Sequence, residues 1–142
     1  MPARTAAAKS WSRPWRTACW QQVRVSILIP TCDHIRDLEL CVDSIYARTT
    51  YPDFELILIE NNSKQPETFR AYERMQKEHP DNLKVVTWEG KGFNYSALNN
   101  FGEKFATGEY LLLLNNDTEV ITAAWLEEMV MYLSLIHISE PT

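Results

Sequence analysis

Four consecutive leucines, Leu111–Leu114, run straight into Asn115-Asn116-Asp117-Thr118-Glu119. A carboxylate at the end of so apolar a run stands where a strand meets solvent. There it can reach a divalent cation that bridges two phosphates. Magnesium and manganese prefer hard oxygen ligands, commonly one or two carboxylates completed by phosphate and water. Asp117 is the candidate metal ligand, and Asn115 is a candidate amide oxygen or hydrogen-bonding partner beside it. Taken alone, the loop reads first as a turn in which Asn and Asp cap the strand through Asx hydrogen bonds. Its meaning depends on its company.

That company is an alternating α/β pattern. Val23–Pro30 is β-branched and almost wholly apolar after Ser26, as a strand buried on both faces should be, and Pro30 is expected to stop it. Ile35, Leu38, Val42 and Ile45 recur at helical spacing behind Asp33, a plausible N-cap. Phe54–Glu60 is a second buried strand. A helix follows, with Pro66 in its first turn and Phe69, Tyr72 and Met75 on one face up to His79-Pro80. Leu83–Trp88 is a third strand. A helical stripe of Ala97, Leu98, Phe101 and Phe105 ends at Thr107-Gly108, and Tyr110–Leu114 is a fourth strand. Trp125, Leu126, Met129 and Val130 begin a last helix. Repeated strand–helix units predict a Rossmann-like, mostly parallel, doubly wound sheet. Ligands of such sheets lie at the carboxyl ends of the strands. The rule selects four loops: Thr31–His34, Asn61–Lys64, Glu89–Tyr95 and Asn115–Glu119.

Several chemistries are excluded. The first strand is followed by Pro30-Thr31-Cys32-Asp33-His34, with no GxGxxG, and the chain has no GxxxxGK[ST] loop, so neither dinucleotide nor P-loop binding is expected. Cys19, Cys32 and Cys41 form no CxxC pair and have no His at zinc spacing; free thiols suit a reducing cytosol. No apolar run approaches the roughly 18–20 residues of a membrane span. The net charge of −5 conceals an asymmetry. Arg4, Lys9, Arg13, Arg16 and Arg24 lie in the first 24 residues with no acid among them, leaving nine basic against nineteen acidic residues thereafter. So acidic a body argues against nucleic-acid binding, which needs a basic surface.

The two ends read differently from the middle. Residues 1–22 are basic, lack a clear period and carry Trp11, Trp15 and Trp20, an unusual trio for a transit peptide. They are expected to be a linker from a longer protein or a mis-assigned start, outside the folded part. Leu133–Thr142 matches, residue for residue, the translation of transposase mosaic-end adapter DNA (CTG TCT CTT ATA CAC ATC TCC GAG CCC ACG). That leaves 23–132 as the domain and gives His137 and Glu140 no functional role.

Four segments together carry a resemblance: Val25–Thr31 (VSILIPT), Phe54–Ser63 (FELILIENNS), Phe93–Gly102 (FNYSALNNFG) and Gly108–Val120 (GEYLLLLNNDTEV). In this order and spacing, over about Val23 to Val130, they resemble family 2 glycosyltransferases of the GT-A fold, in a flavour similar to bacterial rhamnosyltransferases. The resemblance implies a truncated GT-A fold, its nucleotide-binding half. It implies that Pro30 and Thr31 border the base and ribose and that Glu60 and Asn61 contact one of them. It implies further that Asn94, Ser96 and Asn100 line the diphosphate and donor sugar, and that Asn115-Asn116-Asp117 stands for the DxD-type metal motif. Three departures matter. Glu60 and Asn61 replace an Asp-Asp or Asp-Asn pair, Cys32 stands where many members carry a stacking aromatic, and Asn115 replaces the first acid of the metal motif.

The implied chemistry is transfer of a sugar from a nucleoside diphosphate to an acceptor hydroxyl, with inversion, aided by magnesium or manganese. The acceptor would be a glycan or lipid-linked saccharide at the cytoplasmic side of a membrane. The family's general base lies beyond the metal motif, so this chain is expected to bind a donor without turning it over. A sugar nucleotidyltransferase would carry a Gly-rich basic loop after the first strand, and a non-enzymatic α/β module would not need four polar loops at strand ends.

Overall fold

The computed structural model describes residues 23–139, with side chains described through Leu135. The expected linker at 1–22 and the last three residues of the expected adapter-derived tail lie outside the described residues. Strands and helices alternate strictly: β1 (Val25–Thr31), α1 (Ile35–Arg48), β2 (Phe54–Asn61), α2 (Pro66–Glu78), β3 (Leu83–Trp88), α3 (Tyr95–Glu103), β4 (Tyr110–Leu113) and α4 (Trp125–Ser139). The strands form one sheet in the order β3-β2-β1-β4, and every pair is parallel. Val25 stands opposite Phe54 on one side and Tyr110 on the other. The chain first builds outward from β1 to β3, then returns to place β4 on the far side of β1.

Burial explains the sequence pattern. Every residue of β1 and β2 is buried, because both strands are central and covered on both faces. One face packs Ile27, Ile29, Leu56 and Leu58 against α1, α2 and α4 through Leu38, Ile45, Met75 and Leu126. The other packs Leu28, Ile57 and Ile59 against Leu98 of α3. Crossovers of constant hand must change face when the chain reverses direction, and α3 carries that reversal. Gly102 makes its close approach possible, since a Cβ there would lie 2.4 Å from Ile59 Cδ1. The edge strand β4 is covered on one face only: Tyr110 and Leu112 point inward, while Leu111 and Leu113 are 41% and 46% exposed.

Four expectations are corrected. Pro30 does not end β1, which runs through it to Thr31. Leu28 offers its carbonyl to Leu114, and Pro30, two residues on, faces the same side beyond the end of β4. Its missing N–H therefore removes no ladder bond. Asp33 does not cap α1; the N-cap is His34, in left-handed conformation and without a side-chain cap. Phe69 is not on the buried face of α2 but is 45% exposed, edge-on to Tyr72. Phe105 lies beyond the end of α3 and is 39% exposed. α4 spans Trp125–Ser139.

At the amino ends of the strands a buried polar knot holds the sheet in register. Glu55 of β2, 2% exposed, accepts hydrogen bonds from Ser26 Oγ at 2.6 Å and from the Thr107 backbone N–H at 2.7 Å, both on Oε2. Its other oxygen faces Arg24 at 3.4 Å and Lys84 at 3.5 Å. Arg24 also pairs with Asp53 at 2.7 Å. Gly108 donates to Ser26 Oγ at 2.8 Å, and a Cβ at Gly108 would lie 2.7 Å from the Arg24 carbonyl oxygen. Arg24, counted with the basic N-terminal stretch from sequence, is thus half-buried against the folded sheet.

Burial alone would raise the Glu55 carboxyl, but the bonds from Ser26 and Thr107 and the nearby Lys84 outweigh it and hold its pKa at about 2. The folded value lies below the unfolded one. Glu55 therefore stabilises fully above about pH 4.5 and loses that contribution as pH falls toward 2, on the order of 2–3 kcal/mol. Urea unfolding at a series of pH values should show this acid limb, and Glu55→Gln should flatten it while lowering stability at pH 7. An equally steep limb in the variant would refute the assignment. Gly108→Ala should cost about 2 kcal/mol or more in the same measurement, since backbone stands where the methyl must go.

Candidate functional site

With all four strands parallel, the loops selected from sequence converge at one end of the sheet. The strand order reverses between β1 and β4, so the Thr31–His34 and Asn115–Glu119 loops flank the switch point, the position at which such sheets take up ligands in a crevice. A direct bond crosses it, from Asn116 Nδ2 to Thr31 Oγ1 at 3.3 Å.

The loop after β4 is braced from α1. The Cys41 thiol lies 3.9 Å from the Asn115 carbonyl oxygen and 3.6 Å from Thr118 Oγ1, which itself donates to that carbonyl at 2.8 Å. Ser44 Oγ accepts from the Val120 N–H at 2.9 Å. Burial pushes the Cys41 thiol up, so it acts here as a neutral packing group. Asp117 is exposed, and among the described residues no hydrogen bond or ion pair engages its carboxylate. No group of three or more His, Cys, Asp or Glu able to hold a metal occurs among the described residues. The donor set thus fits a cation held by one carboxylate and completed by phosphate and water, not a closed protein cage.

The loops after β1 and β2 are stitched together under strain. Asp33, His34 and Asn62 have φ of 52°, 51° and 57°, the non-glycine residues in left-handed conformation among those described. Such strain costs of order 1–3 kcal/mol each and clusters at functional sites. The Asp33 carboxylate accepts from the N–H groups of Lys64 and Gln65 at 3.1 Å and from Thr68 Oγ1 at 2.9 Å. Burial opposes its ionisation, but those bonds prevail and lower its pKa. Asp33 therefore ties the loop after β1 to the turn before α2 and to Thr68 in its first turn, where Gln65 is the N-cap. Cys32, beside it, is raised by burial and then by the Asp33 and Glu60 carboxylates.

The remaining sequence-selected residues divide. Pro30 and Thr31 are buried at the end of β1. Glu60 is 3% exposed and turned inward: Oε1 accepts from Tyr72 Oη at 2.6 Å, and Oε2 accepts from the Ser63 N–H at 2.5 Å. Asn61 is buried and accepts from Asn62 Nδ2 at 2.8 Å. Asn94 is the N-cap of α3, accepting from the Ala97 N–H at 3.0 Å. Ser96 and Asn100 are exposed, on the helix face opposite Leu98 and Gly102. Asn99, not selected, is 6% exposed with Oδ1 unpaired, while its Nδ2 bonds the Tyr95 carbonyl. Sequence reasoning also passed over Cys41, Ser44, Ser63 and Tyr72. Tyr72 had one usable signal, a hydroxyl on an otherwise apolar helix face, which burial obliges to find a partner.

The fold is similar over 99% of this chain to the mannosyltransferase PcManGT from Pyrobaculum calidifontis, solved with GDP-Man and Mn2+, at 27% identity and a TM-score of 0.70. The match covers 40% of that protein. Staphylococcus aureus TarS shares the fold at 22% identity and a TM-score of 0.67, over 80% of this chain and 33% of the TarS chain. The all-parallel α/β sheet thus matches part of a GT-A glycosyltransferase domain. The family model for glycosyl transferase family 2 matches residues 26–135, and the chain belongs to that family. It is 48% identical over 107 residues to the O-antigen biosynthesis protein RfbC of Myxococcus xanthus. It is 33% identical over 108 residues to a PGL/p-HBAD biosynthesis glycosyltransferase of Mycobacterium tuberculosis. The chain spans 8% of the first relative's length and 41% of the second's. Family membership sets aside the interaction-module and nucleotidyltransferase alternatives. No helix among the described residues is long and apolar enough to cross a membrane.

Asp33→Ala should remove the bonds to Lys64, Gln65 and Thr68 and cost about 1–2 kcal/mol, read as a lower urea midpoint at unchanged slope. An unchanged midpoint would show that these bonds contribute nothing.

Proposed function

We propose that this chain binds a nucleoside-diphosphate sugar together with magnesium or manganese, as the donor-binding part of a glycosyltransferase in bacterial cell-surface polysaccharide assembly. The reading rests above all on Asp117, an unengaged carboxylate at the end of β4 on the switch-point crevice. The family assignment, the relatives in O-antigen and PGL/p-HBAD biosynthesis and the neighbour holding GDP-Man and Mn2+ support it.

In this reading Asp117 holds the cation, with Asn115 beside it, and Thr31, Asn61 and the strained Cys32–His34 and Asn62–Ser63 turns border the nucleoside. Asn94, Ser96 and Asn100 line the diphosphate and sugar side, with Asn116 fixed across the crevice. A bound divalent ion would neutralise charge developing on the leaving diphosphate. The anomeric carbon's bond to phosphate oxygen breaks as its bond to the acceptor oxygen forms on the opposite face. The acceptor's proton passes to a general base. Asp33 is not that base, because its carboxylate is committed to α2, and neither Asp37 nor Glu119 is assigned the role. The acceptor is proposed to be a glycan or lipid-linked saccharide met at the inner face of a membrane. Residues 1–142 alone are expected to hold a donor without transferring its sugar.

Calorimetric titration with UDP-, dTDP- and GDP-sugars, with and without manganese, tests this. Manganese should strengthen binding, and Asp117→Ala should remove that enhancement, about tenfold or more, with little change in stability. Equal affinity in the variant would refute the ligand assignment. Sugar transfer by the chain alone would overturn the division of labour.

A further inference from the structure

A buried polar chain runs from α2 to the loop that carries Asp117. Tyr72, 4% exposed, donates its hydroxyl to Glu60 at 2.6 Å, and Glu60 in turn accepts the Ser63 N–H. Thr31 stands directly opposite Glu60 in the β1–β2 register, and its hydroxyl accepts from Asn116. The Thr31 and Ser63 hydroxyls both act on the Tyr72 phenol, which burial and the Glu60 carboxylate push far above its ordinary range. Both Glu60 oxygens are thus occupied inside the protein, and the side chain has almost no surface to offer a ligand.

We infer that Tyr72 is a positioning residue of the donor site. Its hydroxyl holds the Glu60 carboxylate, which fixes the Asn61–Ser63 turn and, beside Thr31, steadies the Asn115–Asp117 loop. The inference rests on the donor-site reading above and changes it at one point: Glu60 acts through its neighbours instead of touching base or ribose. Packing does not require the hydroxyl, since phenylalanine would fill the same space. Removing it leaves Glu60 Oε1 buried without its donor, a condition that folded proteins rarely tolerate. The carboxylate must then turn or admit water, and its hold on Ser63 loosens.

Tyr72→Phe in the 142-residue chain tests this with two readouts. Without ligand, 15N relaxation should show backbone order parameters at Ser63 and Asn116 falling from about 0.85 toward about 0.6, while Val25–Leu28 stay rigid. Unchanged values at Asn116 would overturn the link across the crevice. With manganese, affinity for UDP-, dTDP- and GDP-sugars should fall by one common factor, about five- to tenfold. The double variant Tyr72→Phe/Glu60→Gln should lose no more than Glu60→Gln alone, as residues acting in series do. Additive losses, or a changed preference among bases in Glu60→Gln, would show Glu60 reading the nucleotide directly and sink the proposal. If the unsubstituted chain bound none of the donors, the donor-site reading would fail, and the relaxation data would still decide the positioning role.

Discussion

The structure depends first on the carboxylate of Glu55. It is buried at the amino end of β2, where an unpartnered charge could not persist. Ser26 reaches it from β1, Thr107 from the turn before β4, and Lys84 and Arg24 from either side. Three strands and the entry to the fourth are thereby fixed at one end. Parallel strands lack the short hairpins that set register in antiparallel sheets, so long-range contacts must do so. The polar knot supplies direction where the hydrophobic faces supply only attraction.

A sheet held firmly at one end can carry strain at the other. The left-handed residues Asp33, His34 and Asn62 all lie at the carboxyl ends of β1 and β2, opposite the knot. Their conformations persist because neighbouring groups over-determine them: Asp33 is bound to three donors in and before α2, and Asn62 to Asn61 and Gly90. Binding loops arranged this way need little reordering when a ligand arrives, which favours affinity. The loop bearing Asp117 is different in kind. It is braced from behind by Cys41 and Ser44, while its carboxylate stays uncommitted.

The sequence reading succeeded where one residue type answers to one local force. The apolar runs read at Val23–Pro30 and Phe54–Glu60 mark strands covered on both faces, and the helical stripes mark the layers above them. It failed where a side chain answers to a distant partner. Asp33 looks like the cap of the helix that follows it, yet it accepts from Lys64, Gln65 and Thr68, more than thirty residues on. Phe69 fits the apolar spacing of α2 but stands outside the contact, because helical periodicity fixes a direction and not the width of the surface beneath it.

Composition and apolar period by themselves determined the α/β alternation, the parallel sheet and the four loops, while family 2 was implied by the resemblance that the four ordered motifs carry. The first three follow from local propensity and burial, which every residue expresses in its own neighbourhood. Only tertiary structure decided that Glu60 faces Tyr72 and Ser63, that Asp33 binds the Lys64–Thr68 segment, and that Arg24 pairs with Asp53 and Glu55. A buried polar group must find its partner wherever the fold brings one, and the register of a parallel sheet brings together residues that spacing along the chain does not.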